Sequence, residues 1–106
     1  MKVLVCNGKE DIIKDIPLSG VSAELGCDRY TQRVVIQKAG YRICVWYAEI
    51  KKGFKTTVRL AGGEKLTVRG PYIVFHEEYG AYGDIELNDI GEFKILALEE
   101  GKCQKE

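Results

Sequence analysis

The sequence has few of the side chains from which catalytic and metal sites are built. Its 106 residues include one histidine, His76, and four cysteines that share no CxxC spacing. It contains no GxSxG nucleophile elbow, no GxGxxG loop and no Walker phosphate loop, since "AGGEK" lacks the spacing and the Ser or Thr that must follow. We therefore predict no resident metal and no cofactor, and the sequence favours a non-enzymatic function.

Long apolar runs are also lacking. The opening "MKVLVC" turns polar within a few residues, unlike a signal peptide, and no stretch approaches the length of a membrane span. We therefore predict a cytoplasmic protein without a membrane partner. Its four cysteines, Cys6, Cys27, Cys44 and Cys103, are then expected to be reduced, with Cys6 and Cys44 buried as small apolar residues.

Short alternating apolar stretches separated by glycine turns are what the sequence does contain. Its length and its 45% hydrophobic content suit a single domain over residues 1–106. Residues 31–60 predict a β-meander, because "TQRVVIQ", "YRICVWYAEI" and "FKTTVRL" alternate and the turns between them contain Gly40 and Gly53. Further strands are predicted at "KVLVC", "VSAEL", "EKLTVR", "YIVFHE", "IELN" and "FKILALEE".

One short helix is predicted before the meander. Asn7 and Glu10 are spaced like a capping pair, three isoleucines at positions 12 to 16 share a helical stripe, and Pro17 would end the helix. With about eight strands, the sequence predicts an all-β fold, a small antiparallel barrel or sandwich with the meander in its centre.

Charge is segregated along the chain, although the net charge is +0. Residues 29–70 carry ten basic and two acidic side chains, whereas residues 71–106 carry three basic and nine acidic ones. The zero sum argues against a generic nucleic-acid binder, but the basic middle predicts a surface for an anionic ligand. The segregation also allows homo-oligomers that pair basic with acidic surfaces, and salt would weaken such an association.

Strand parity predicts where the basic residues meet. Because side chains alternate between the two faces of a strand, four central strands that pair in order would have one apolar and one basic face. The basic face would contain Arg33, Arg42, Trp46, Lys55, Arg59 and Arg69. These residues could bind phosphates and stack a base on the tryptophan, as small β-barrels do with single-stranded nucleic acid. Alternatively, the face is simply solvated, and Trp46 lies beneath the predicted helix or the acidic C-terminal strands.

The segment "FHEEYGAYGDIEL", residues 75–87, raises the question of a metal or catalytic loop. His76 and Glu77 would point to opposite faces of a continuous strand, so they cannot share an ion without a bulge. A metal site would need His76 with Glu78 or Asp84 and a further ligand, which the sequence does not specify. We therefore assign the segment neither a metal site nor a catalytic one.

The two tyrosines of this segment are its most informative residues. Tyr79 and Tyr82 lie in a glycine-containing loop without an obvious core position, and loop tyrosines give large contact area with few rotatable bonds. With Asp84 they form the predicted partner-binding surface, unless the rings fold back onto the domain. The leading hypothesis is a binding module for single-stranded nucleic acid or a nucleotide. The alternative is a protein-interaction module, such as an inhibitor or accessory subunit of the kind that viruses encode.

Overall fold

The computed structural model describes residues 1–49 and 52–98. These residues form eight strands, two short α-helices, a 3₁₀ turn at Leu18–Gly20 and a π-helical turn at Phe93–Ala97. The strands are β1 (Lys2–Cys6), β2 (Asp11–Asp15), β3 (Thr31–Gln37), β4 (Arg42–Tyr47), β5 (Lys55–Arg59), β6 (Lys65–Arg69), β7 (Tyr72–Glu78) and β8 (Ala81–Gly83). The helices are α1 (Val21–Leu25) and α2 (Leu87–Glu92).

The strands form one antiparallel sheet and one separate hairpin. The sheet has the order β2-β1-β7-β4-β3, β8 pairs with the end of β7, and β5 pairs only with β6 among the named strands. The predicted all-β fold of about eight strands is confirmed, and the sheet is not closed into a barrel. The predicted meander is wrong beyond its first hairpin, because β4 has β7 and not β5 as its second neighbour. Strand β7 is buried at six successive residues, which suits a central position, whereas β5 is mostly exposed or half-buried.

Both faces of the sheet are covered, so the molecule has two cores. The hairpin-side core lies between the sheet, the β5–β6 hairpin and the C-terminal helical segment, and includes Val45, Val58, Val68, Val74, Phe93 and Ala97. The helix-side core lies beneath α1 and contains Val3, Val5, Ile16, Val21, Leu25, Cys44, Trp46, Ile73 and Phe75. Cys44 and Trp46, which share a face of β4 with Arg42, are therefore buried in a core.

The predicted helix and the strand that follows it are interchanged in the structure. The Asn7 carboxamide accepts hydrogen bonds from the backbone N–H groups of Lys9 and Glu10, which resembles a helix cap but here closes a turn. The chain then returns as β2, which pairs with β1 over all five residues. "VSAEL" instead forms α1, whose Val21 and Leu25 are one helical turn apart and both buried.

The C-terminal segment is helical where strands were predicted. In α2, the Asp89 carboxylate accepts a hydrogen bond from the backbone N–H of Glu86 at 3.0 Å, a capping contact that starts the helix. Phe93 and Ala97, four residues apart, are buried, whereas the residues between them are exposed. Leu98 forms an isolated bridge to Val58. The remainder of the predicted strand "FKILALEE", Glu99 and Glu100, lies outside the described residues.

No helix within residues 1–49 and 52–98 is both long enough and apolar enough to cross a membrane.

Candidate functional site

The predicted basic face does not assemble, because β5 and β6 form a separate hairpin and because strand β3 carries a bulge. Val34 lies opposite Cys44, but Ile36 lies opposite Ile43, so one extra residue is accommodated between them. Arg33 therefore lies opposite Val45, on the hairpin side of the sheet, where it forms an ion pair with Glu64 at 3.5 Å. Arg42 and Trp46 lie on the other side. Alternation within the sequence gives no signal for such an insertion.

Trp46 is a core residue and is not exposed for stacking. Its side chain is only 2% exposed, its ring stacks on Phe75 at a centroid distance of 3.7 Å, and its indole N–H donates a hydrogen bond to Gln32 at 3.1 Å. It shares the helix-side core with Val21 and Leu25 of α1. The helix above Trp46 is α1, which was predicted as a strand, whereas the helix predicted before Pro17 is strand β2. The stacking role predicted for Trp46 does not fit its buried position.

Arg42 is held by an acidic neighbour on the same face. Its Nε donates a hydrogen bond to Glu77 at 2.7 Å, and a second guanidinium N–H contacts the same oxygen. The two residues are directly opposite each other on β4 and β7. The Arg42 side chain is 39% exposed and that of Glu77 only 10%, so the positive end of this ion pair is the one that faces solvent.

The other three predicted basic residues are brought together on the β5–β6 hairpin. Lys55 lies opposite Arg69, and Arg59 lies opposite Lys65, which the sequence reasoning had not included in the site. All four side chains are exposed, whereas Val58 and Val68 on the inner side of the hairpin are buried in the hairpin-side core. The six outward residues are Lys55, Thr57, Arg59, Lys65, Thr67 and Arg69. We call them the basic hairpin face.

His76 lies at the centre of a polar network on the hairpin side. Its Nδ1 is 2.9 Å from Asp89 of α2, its Nε2 is 3.2 Å from Glu78, and its ring stacks on Tyr41 at 4.9 Å. Burial lowers the pKa of His76, but hydrogen bonds and charges from Asp89 and Glu78 outweigh this effect, so the pKa is raised. Asp84, also considered as a partner, instead accepts a hydrogen bond from the backbone N–H of Lys2.

Asp89 was not among the predicted site residues, because it lies between the predicted strands "IELN" and "FKILALEE". The three-residue spacing from Glu86 to Asp89 is a signal for a helix start that could have indicated this contact. The network continues to Glu92, which accepts a hydrogen bond from the Tyr41 hydroxyl at 3.3 Å and forms an ion pair with Lys38 at 2.9 Å. The hydrogen bond from Lys38 is the main reason why the pKa of Glu92 is lowered. The network thus joins the β3–β4 turn and the β7–β8 turn to α2.

Tyr79 and Gly80 form the turn between β7 and β8, a strand that was predicted to be loop. Both residues have positive φ, 51° and 81°, and Glu78 pairs directly with Ala81. Tyr79 is 86% exposed, so its ring is not folded back into a core. Tyr82 is 42% exposed and contacts the rings of Trp46 and Phe75 at centroid distances of 5.5 and 5.6 Å. We call these two residues the tyrosine tip.

The two buried cysteines lie in different cores. Cys6 lies in the hairpin-side core and Cys44 in the helix-side core, which confirms the prediction that both are buried. Burial raises the pKa of Cys6 to about 12 and that of Cys44 to about 11, so both thiols stay protonated. Cys103 lies outside the described residues. Within the described ranges, no group of three or more His, Cys, Asp or Glu side chains could hold a metal ion.

The chain matches no protein-family model, no curated protein and no solved structure in the three comparisons made.

Proposed function

We propose that the protein is a binding module that holds an anionic ligand, single-stranded nucleic acid or a nucleotide, on the basic hairpin face. The observation that carries this proposal is the direct cross-strand pairing of Lys55 with Arg69. Like charges opposite each other on neighbouring strands destabilise a sheet. A negatively charged ligand bound across these two side chains would be attracted by both of them and would offset their mutual repulsion.

The composition of the face supports contacts to phosphate and not to bases. Thr57 and Thr67 lie opposite each other between the two basic pairs, so hydroxyl groups are available as additional hydrogen-bond donors. None of the six outward residues is aromatic or acidic. Along β5, Lys55 and Arg59 are four residues apart, which corresponds to about 13 Å. We therefore expect salt-dependent binding with little sequence preference.

A charge reversal on this face separates binding from folding. Arg69→Glu would place an acid opposite Lys55, and we expect this pair to raise the free energy of unfolding by about 0.2–1 kcal/mol. The same change should weaken binding of a fluorescently labelled oligothymidine about tenfold at low salt and reduce the salt slope by about 1. Fluorescence anisotropy measures the binding, and urea denaturation measures the stability.

Arg29→Glu is the matched control, because Arg29 is exposed and lies in the connection between α1 and β3, outside the hairpin. It makes the same change in net charge and should leave the affinity within about twofold. Equal loss of affinity in both variants would show a response to net charge alone and would contradict a specific site. Absence of salt-sensitive binding by the unaltered protein would also contradict the proposal.

We place this binding in the cytoplasm. Cys6, Cys27 and Cys44 are free thiols, and free thiols persist in reducing compartments.

A further inference from the structure

The turn at the tyrosine tip is built from a residue that the turn geometry disfavours. A two-residue hairpin turn with positive φ at both positions favours Asn-Gly, because only Gly, Asn and Asp adopt this conformation readily. Gly80 suits its position, whereas Tyr79, with φ of 51°, is a bulky residue in the left-handed region. Its 86% exposure means that burial within this chain does not compensate for the strain. Strain of this kind is typical of ligand-binding positions.

The Tyr79 ring forms one wall of a groove. Its hydroxyl lies 3.0 Å from the point where a Cβ on Gly40 would stand, so the ring leans over the turn between β3 and β4. The groove has a volume of about 270 Å³ and is lined by residues 37–42 together with Tyr79 and Gly80. This volume is below the range of about 300–1,000 Å³ that is typical of small-molecule sites. A groove of this size suits one or two side chains of a peptide.

Two basic side chains lie beside the groove, and each forms an ion pair with an acidic side chain that is less exposed. Lys38 and Arg42 flank it with side chains that are each 39% exposed. Their partners Glu92 and Glu77 are less exposed, so each of these two ion pairs presents its positive end to solvent. Glu78, next to Tyr79, is more exposed and is paired with His76. Tyr82, on the same face as Arg42, rests on the rings of Trp46 and Phe75 and gives the tip a rigid base.

These features indicate which class of ligand the groove would bind and which side chains that ligand would need. Tyrosine and arginine are the residue types most often found at interaction hot spots, and groups that are fixed before binding lose less entropy on association. A basic rim attracts carboxylates, whereas the identical tip of a second copy of the chain would be repelled. We propose that the tyrosine tip and its groove bind an extended, acidic segment of a partner protein. An apolar or aromatic side chain of that segment would lie beside Tyr79.

The proposal is independent of anion binding by the basic hairpin face, which lies on a different pair of strands. It can be tested by selecting random peptides from a display library on the immobilised full chain. We expect the selected peptides to contain Asp or Glu flanking at least one Phe, Leu, Trp or Ile. Selection without this enrichment, or no selection at all, would overturn the proposal.

Synthetic, labelled versions of the selected peptides are then compared on variants. Tyr79→Asn should weaken their binding at least about tenfold, as expected for a hot spot, while raising the thermal midpoint by a few degrees because asparagine tolerates positive φ. Lys38→Gln should weaken binding several-fold and make it less sensitive to salt. The matched control is Lys65→Gln on the basic hairpin face, which should leave peptide affinity unchanged.

The outcomes distinguish the two surfaces. Peptides that bind Tyr79→Asn as tightly as the unaltered chain would overturn the proposal, whatever the oligonucleotide result. An oligonucleotide that displaces the peptides from the unaltered chain, with affinity that falls in Tyr79→Asn, would show that the tip binds nucleic acid and would also overturn it. Loss of oligonucleotide binding in Arg69→Glu with intact peptide binding would support both proposals separately.

Discussion

His76 shows how the surroundings of one residue raise its pKa. The ring lies between two carboxylates, Asp89 on α2 and Glu78 on its own strand, with Tyr41 stacked on its face. A doubly protonated imidazolium donates to both carboxylates, whereas the neutral ring can donate to only one of them. The network therefore holds α2 against the sheet most firmly when His76 is charged.

This arrangement predicts that stability depends on pH. The pKa of His76 is raised in the folded protein above its ordinary value of 6.5, so the protonated form is favoured by folding. The stabilisation is fully present below pH 6.5 and is lost as the pH rises through the raised pKa. We expect the free energy of unfolding, measured by urea denaturation, to fall over this interval.

The control for the pH prediction is His76→Gln, which keeps hydrogen-bonding capacity but does not titrate. Its stability should vary less over the same interval, and the chain has no other histidine to confuse the result. A slope that is unchanged by the substitution would show that other groups cause the pH dependence.

Helix α1 is the element whose removal would expose the helix-side core. It has only five residues, and an isolated helix of that length is not stable in water, so it is held by the burial of Val21 and Leu25. Both residues belong to the same core as Trp46. Tertiary contacts therefore stabilise this helix, and the intrinsic helix propensity of its residues contributes little.

Shortening a buried side chain of α1 should therefore lower the free energy of unfolding. Leu25 is 1% exposed, and Leu25→Ala is expected to lower the free energy of unfolding by about 2–5 kcal/mol through lost burial and a residual cavity. Ser22→Ala, on the half-buried side of the same helix, should change it by less than about 0.5 kcal/mol. Denaturant titration measures both. Similar small effects for the two variants would contradict the assignment of Leu25 to the core.

At the scale of the whole molecule, the sheet separates the two cores. Trp46 lies in the helix-side core, and the basic hairpin face projects from the structure that covers the opposite side. A ligand on the hairpin would therefore be remote from the only tryptophan. The predicted self-association between basic and acidic surfaces stays a prediction.

The burial of Trp46 on the side of the sheet opposite the hairpin predicts that its fluorescence does not respond to ligand binding. Trp46 should emit at short wavelength, resist quenching by acrylamide and show no change when oligothymidine is added, because its ring is buried and stacked on Phe75. Binding would instead be detected by anisotropy of the labelled strand. Strong, salt-sensitive quenching of Trp46 on addition of the oligonucleotide would contradict the separation of the two faces.

Local sequence patterns predicted the elements whose signals have a single interpretation. The alternating segments from Thr31 to Tyr47 and from Tyr72 to Glu77 are strands, as their period of two indicates. Short segments with mixed signals were predicted wrongly: Asn7 with Glu10 closes a hairpin turn, and "VSAEL" and "FKILA" are too short for their periods to be distinguished. Their conformation depends on the face of the sheet against which they pack.

The sequence by itself determined the all-β class and the burial of Cys6 and Cys44, because side-chain alternation and glycine turns are local properties. Only the tertiary structure decided which basic residues lie together. A bulge at Val35 moves Arg33 to the other face, and β7 takes the place beside β4 that β5 was expected to fill. Strand neighbours are chosen by burial of both faces of the central strand, which depends on residues far apart in the chain.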